Sequence, residues 1–206
     1  GEPILWWSPD ARLVLYPSEI RVSRSLKKEI KKDVFRITFD RDFQQVIHRC
    51  ATVRLEKGEP TWITPEMISA FCGLHESGHA HSVEAWQDGI LVGGLYGLAL
   101  GRCFSGESMF TRVSNASKVA FVFLVNYLRC NNFCMIDCQV STPHLIGLGA
   151  RPISRIRFLD QLEKAVQYPD LSDIWHLDQS EAKRKILETE KTRESSSERN
   201  QNFPDL

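Results

Sequence analysis

One stretch narrows the fold more than any other. From His81 to Trp86 apolar and polar residues alternate, Asp88-Gly89 follows, and Ile90 to Leu100 (ILVGGLYGLAL) is apolar with three glycines. Alternation has the two-residue period of a strand, and Asp-Gly between two such runs signals a tight turn. The segment is therefore expected to be a β-hairpin. Phe104 to Phe110 reads as a further strand or turn. Asn115 to Arg129 carries the run VAFVFLVNYL, too apolar for a surface helix, so a largely buried helix is expected. Phe133 to Val140 reads as a buried strand with a polar end.

The remaining elements come from start and stop signals. Ser23 is placed to cap a helix running to Lys32, and Phe35 to Phe39 alternates like a strand. Phe43 to Cys50 fits a short amphipathic helix, and Arg54 to Thr61 a loop. Thr64-Pro65-Glu66 opens a helix with Met67, Ile68, Phe71 and Leu74 as its apolar stripe, ended by Gly78. Leu145 to Ala150 is a short glycine-punctuated segment. Arg155 to Val166 is expected to hold a last strand and helix. The order is helix, antiparallel strands, buried helix, strand. This is α+β, with an antiparallel-rich mixed sheet and packed helices, and by analogy of fold it is N-acetyltransferase-like. Residues 1–166 form the expected domain. Residues 167–206 are an extension, helix-forming to about Lys191 and then disordered at SSSERNQN.

Composition excludes several functions. Lysine plus arginine equals aspartate plus glutamate at 26 each in 206 residues. That balance rules out a uniformly basic nucleic-acid coat, though not a local basic patch. No run approaches the ~20 apolar residues of a membrane span, and no membrane partner is expected. Six cysteines without a C-x-x-C pair read as reduced thiols of a cytoplasmic protein.

Three motifs carry chemistry. His75-Glu76-Ser77-Gly78-His79 matches H-E-x-x-H, but zinc chemistry needs one unbroken helix across both histidines, and Gly78 interrupts it. No metal site is expected. The turn before the buried helix, Thr111 to Lys118, has no glycine, so a pyrophosphate cradle and a CoA cofactor are not expected. Between Glu19 and Arg36, seven basic residues face three acidic ones, and Arg24, Lys28, Lys31 and Lys32 share one helical face. Such a face is either solvated surface or a phosphate footprint. The sharpest feature is Asp137-Cys138-Gln139 at the end of an apolar strand. Alternation points Asp137 and Gln139 to the same side, and Glu107 could join them in one polar cluster, catalytic or structural.

Taken together, Ile4–Asp10 (ILWWSPD), Ser23-Arg24-Ser25, Thr61–Glu66 (TWITPE) and His75–Trp86 (HESGHAHSVEAW) resemble the leucyl/phenylalanyl-tRNA–protein transferase family. So do Leu91–Gly97 (LVGGLYG), Gly106–Phe110 (GESMF), Asn115–Lys118 (NASK) and Ile136–Val140 (IDCQV). The resemblance implies an enzyme that moves Leu or Phe, with Met as a third donor, from Leu-tRNA or Phe-tRNA. The acceptor is the N-terminal amine of a protein beginning with Arg or Lys, which is thereby marked for N-end-rule degradation. It implies Asp137 and Gln139 as a catalytic pair with Glu107 beside them. It implies an aminoacyl pocket of Trp86, Leu95, Phe104, Phe121 and Leu124. Arg24, Lys28, Lys31 and Lys32 are implied as the tRNA-contacting cluster. A monomer without cofactor is expected. The family's small N-terminal domain is expected to be mostly absent from this chain. A non-catalytic tRNA-binding homologue and a CoA-dependent N-acetyltransferase stand as the alternatives.

Overall fold

In the computed structural model the described residues are 10–171 and 175. Most of the ILWWSPD block and the tail beyond Trp175 lie outside them, and Gln167–Leu171 is not helical. A seven-stranded sheet has the order β2-β3-β4-β5-β6-β1-β7. Its strands are β1 (Arg12–Leu15), β2 (Arg36–Phe39), β3 (Ala80–Gln87), β4 (Ile90–Leu100), β5 (Cys103–Thr111), β6 (Met135–Gln139) and β7 (Arg151–Ile153). Every pairing is antiparallel except β5 with β6. Among the described residues six α-helices accompany it: α1 (Arg24–Lys32), α2 (Phe43–Glu56), α3 (Pro65–Glu76), α4 (Ala116–Cys130), α5 (Pro143–Gly147) and α6 (Arg155–Ala165). The expected α+β layout, an antiparallel-rich mixed sheet with packed helices, is the one observed.

Two adjacent glycines explain how helices cover both faces of β4. A Cβ on Gly93 would come within 2.6 Å of Ala116 Cβ at the start of α4. A Cβ on Gly94 would lie 3.5 Å from Val46 Cγ2 of α2 and 2.8 Å from the Val83 carbonyl oxygen. Neighbouring strand residues face opposite ways, so each glycine admits one helix layer. On the α4 side the core gathers Leu95, Phe104, Phe121, Leu124 and Ile136. On the α2–α3 side it gathers Val46, Ile47, Phe71, Tyr96 and Phe110. Each such side chain contributes about 1.5–3 kcal/mol by leaving water.

The expected caps are present. Ser23 Oγ accepts from Leu26 N, and Thr64 Oγ1 accepts from Met67 N. Four elements differ from the sequence reading. Helix α2 continues to Glu56 because Ala51 and Val53 are still core residues, and it stops before Gly58 at φ +71°. Strand β1 has no forecast counterpart. Four residues are too few to show a period, yet Leu13, Val14 and Leu15 are fully buried between β6 and β7. Thr142-Pro143 opens a short helix, α5, where a glycine-punctuated segment was expected, and β7 precedes Ser154 rather than following it.

Candidate active site

The site forms where two parallel strands part. Strands β5 and β6 pair only over Cys103–Ser105 and Met135–Asp137. Beyond that, β5 follows β4 to Thr111, while β6 ends at Gln139. A hydrogen-bonded row of side chains lines this opening. Ser105 Oγ donates to Glu107 Oε1 at 3.1 Å. Gln139 Nε2 donates to the Gly106 carbonyl oxygen at 3.1 Å and approaches Glu107 Oε1 at 3.4 Å. The Gln139 backbone N–H donates to Asp137 Oδ1 at 2.9 Å. Arg12 completes the row from β1, with Nε 2.9 Å from Asp137 Oδ1 and Nη2 2.7 Å from Oδ2.

The structure thus brings Asp137, Gln139 and Glu107 together, but not as alternation implied. Gln139 adopts φ +62°, so the strand ends there and the side chain swings toward β5. Asp137 contacts Gln139 through the backbone, while both its oxygens engage Arg12. The two carboxyls differ in consequence. Asp137 is 3% exposed and ion-paired. Glu107 is half-buried with no cation on its oxygens among the described residues, and burial pushes its carboxyl above the usual range, reinforced by the charge of Asp137. Ser105 and Gln139 pull the other way. A carboxylate that holds its proton more tightly than usual is suited to accept one.

Arg12 was not found from sequence. Its partner lies 125 residues away, and the only hint was that a buried aspartate needs a cation. Ser105 and Met109 were also missed. Met109, like Cys138 and Leu145, is partly buried and packs against the core on the α4 side.

Of the expected pocket residues, Leu95, Phe104, Phe121 and Leu124 share one cluster, each 5% exposed or less. Here they are packed core beside the opening rather than an open cavity. Trp86 does not join them. It packs with the α2–α3 cluster on the other face of the sheet, and its Nε1 donates to Thr38 Oγ1 at 2.8 Å. The tertiary reason is strand parity: Trp86 shares its face with Thr38 and Glu84, whereas Val83 and Ala85 face α4.

Arg24, Lys28, Lys31 and Lys32 are all exposed on α1, while Leu26 is buried. Lys32 pairs with Glu29 at 3.0 Å. The H-E-x-x-H residues do not converge. Helix α3 ends at Glu76, and Gly78 turns left-handed at φ +78°. His75 Nδ1 lies 2.8 Å from the Ala80 carbonyl oxygen and its ring stacks on Phe43, whereas His79 faces Asp170. Among the described residues, no group of three His, Cys, Asp or Glu side chains could hold a metal ion. The six cysteines are free thiols. Among the described residues no helix is long and apolar enough to cross a membrane.

Comparison with known proteins resolves the class. The family model for leucyl/phenylalanyl-tRNA protein transferase matches residues 14–163. A leucyl/phenylalanyl-tRNA–protein transferase of Desulfatibacillum aliphaticivorans is 54% identical over 178 residues, 86% of this chain and 76% of the relative. One from Syntrophobacter fumaroxidans is 58% identical over 164 residues, 80% of this chain and 70% of the relative. Among solved structures, a predicted acetyltransferase with acetyl-CoA from Clostridium acetobutylicum aligns over 70% of this chain and 97% of its own. That alignment has 13% identity and a TM-score of 0.40. The molecule is an aminoacyltransferase. Its chain belongs to the leucyl/phenylalanyl-tRNA–protein transferase family.

Proposed function

We propose that the enzyme moves Leu or Phe, with Met as a third donor, from aminoacyl-tRNA to the N-terminal amine of proteins beginning with Arg or Lys. The product is marked for N-end-rule degradation, and the protein acts as a cytoplasmic monomer. The observation that carries this reading is the row Glu107–Gln139–Asp137–Arg12, set at a strand opening against an apolar core.

The chemistry needs alignment more than force. The donor is an ester and the product an amide. The amine nitrogen forms a C–N bond as the C–O bond to the tRNA ribose breaks, and the ribose oxygen leaves with a proton. The attacking amine must first lose its ammonium proton. Glu107, whose affinity for a proton is raised by burial, accepts it. Gln139 orients the amine through its side-chain carbonyl oxygen, or the ester carbonyl through the Nε2 hydrogen that otherwise points to Glu107. Asp137, held by Arg12, fixes the backbone of Gln139. Leu95, Phe104, Phe121 and Leu124 receive the apolar side chain. Holding ester and amine in attack geometry can supply up to ~7–11 kcal/mol of the barrier.

Arg24, Lys28, Lys31 and Lys32 contact tRNA phosphates. Binding should then weaken with salt, and charge reversal at Lys28 and Lys31 should weaken it for all tRNAs alike. The deciding experiment is transfer of labelled Leu and Phe from charged tRNA to a peptide beginning with Arg, with a Gly-initiated peptide as control. Transfer to the Arg peptide alone is expected. Equal transfer to both would refute the acceptor specificity.

A further inference from the structure

Trp86, displaced from the aminoacyl pocket, lines a groove of about 540 Å³ along the edge strand β2, between the β3–β4 turn and the start of α2. The indole is fixed before any ligand arrives. Its Nε1 donates to Thr38 Oγ1, which donates in turn to the buried Glu84 carboxylate at 2.5 Å. The polar edge of the ring is thus turned inward. Arg41 lies over the ring at 5.6 Å, and Arg36 stands opposite Trp86 in the β2–β3 register. Both arginines are exposed, and neither has an ion-pair partner among the described residues.

Three carboxylates on the groove limit what it accepts, and Asp33 stands at its α1 end. Asp42 has both oxygens engaged by Gln45, at 3.0 Å each, as the cap of α2. Asp88 is exposed in the turn. An exposed carboxylate beside a stacking ring accepts from the amino edge of a base such as cytosine, and guanidinium groups hold phosphates. Position adds a third argument. Asp33 and Val34 line the groove directly after Lys31 and Lys32, so it continues the basic end of α1.

We propose that this groove is a nucleotide subsite, in which the Trp86 indole stacks one unpaired base of the tRNA and Arg36 and Arg41 hold the flanking phosphates. The inference rests on the tRNA reading of α1 given above.

The test is equilibrium binding of the full chain to deacylated leucine tRNA and to a blunt-ended RNA duplex, across a salt series. Trp86→Ala, the double variant Arg36→Gln/Arg41→Gln, and Lys28→Glu/Lys31→Glu are compared with the parent. Trp86→Ala should weaken tRNA binding by about tenfold, within the range for a base–aromatic stack, and leave duplex binding unchanged. Arg36→Gln/Arg41→Gln changes only exposed side chains, so it reports even where Trp86→Ala impairs folding. It should cost about tenfold and lower the magnitude of the salt slope by roughly 1.5. If both groove variants bind tRNA like the parent while Lys28→Glu/Lys31→Glu does not, the subsite is overturned and the α1 reading stands. Equal losses on tRNA and duplex overturn the unpaired base. Loss of affinity for an Arg-initiated peptide with tRNA binding intact overturns the nucleotide and assigns the groove to the acceptor. A parent chain without salt-sensitive tRNA binding removes the α1 reading and the subsite together.

Discussion

Arg12→Met isolates the interaction on which the site geometry hangs. The change keeps an unbranched chain beside Phe158, over whose ring the guanidinium lies at 5.2 Å, and deletes the charge. The Asp137 side chain is only 5% exposed, so water cannot take the place of the guanidinium. Removing one member of a buried pair typically costs about 3–5 kcal/mol. Arg12 itself is 15% exposed and the Gln139 N–H bond to Asp137 survives, which puts the expectation near the lower bound, about 3 kcal/mol. For a domain of this size that lowers Tm by roughly 6–12 °C. Asp137→Asn should cost less, about 1.5–3 kcal/mol, because it removes a charge-assisted bond but leaves the stranded charge on Arg12, which reaches solvent. Urea unfolding of both single variants and of the double variant closes a thermodynamic cycle. The pair should show a coupling of about 2 kcal/mol, well outside the ~0.3–0.5 kcal/mol scatter of independent sites. In the transfer assay, Arg12→Met should lower kcat more than it raises KM for tRNA, since the basic helix is untouched. Additive single effects, or full kcat in a destabilised Arg12→Met enzyme, would refute the assignment of Arg12 as the residue that positions Asp137 and Gln139.

Three further outcomes follow from the same structure. Glu84 is wholly buried, and desolvation raises its pKa above the ordinary 4.5 despite bonds from Ser82 and Thr38. A carboxyl raised on folding lends stability that is complete below its unfolded value and is lost as pH rises through the folded one. Glu84→Gln should therefore gain on the parent in urea midpoint from pH 4 to pH 8, and a pH-independent difference would contradict this. Glu107 is raised in the same direction, so the acid limb of the parent transfer rate should sit above an ordinary carboxylate, and Glu107→Gln should flatten it. An unchanged limb in Glu107→Gln would remove Glu107 as proton acceptor. Gly93→Ala should cost about 1–3 kcal/mol in urea unfolding, because the new methyl meets Ala116 Cβ at 2.6 Å and the Ser117 nitrogen at 2.9 Å. A neutral Gly93→Ala would mean that α4 can retreat freely.

What could be read from the sequence was whatever depends on near neighbours. The hairpin of β3 and β4, the buried body of α4 and the caps at Ser23 and Thr64 are written in residues within a turn or a strand of one another. What could not be read depends on parity and distance. A single left-handed residue, Gln139, undoes the period that put its side chain beside that of Asp137. Strand parity sends Trp86 to the α2 face while Leu95 goes to the α4 face, although the two lie on adjacent, paired strands. Arg12 sits on a strand too short to carry any pattern, and its function is set wholly by a partner 125 residues on. A site built at the parting of two parallel strands draws on strands that are distant in sequence, because parallel neighbours cannot be joined by a tight turn. The local chain can therefore advertise each residue type of the candidate site without stating which of them touch. That is why the composition of the cluster was legible in IDCQV and GESMF, while the division of labour between an aspartate paired with Arg12 and a glutamate held by Ser105 and Gln139 was not.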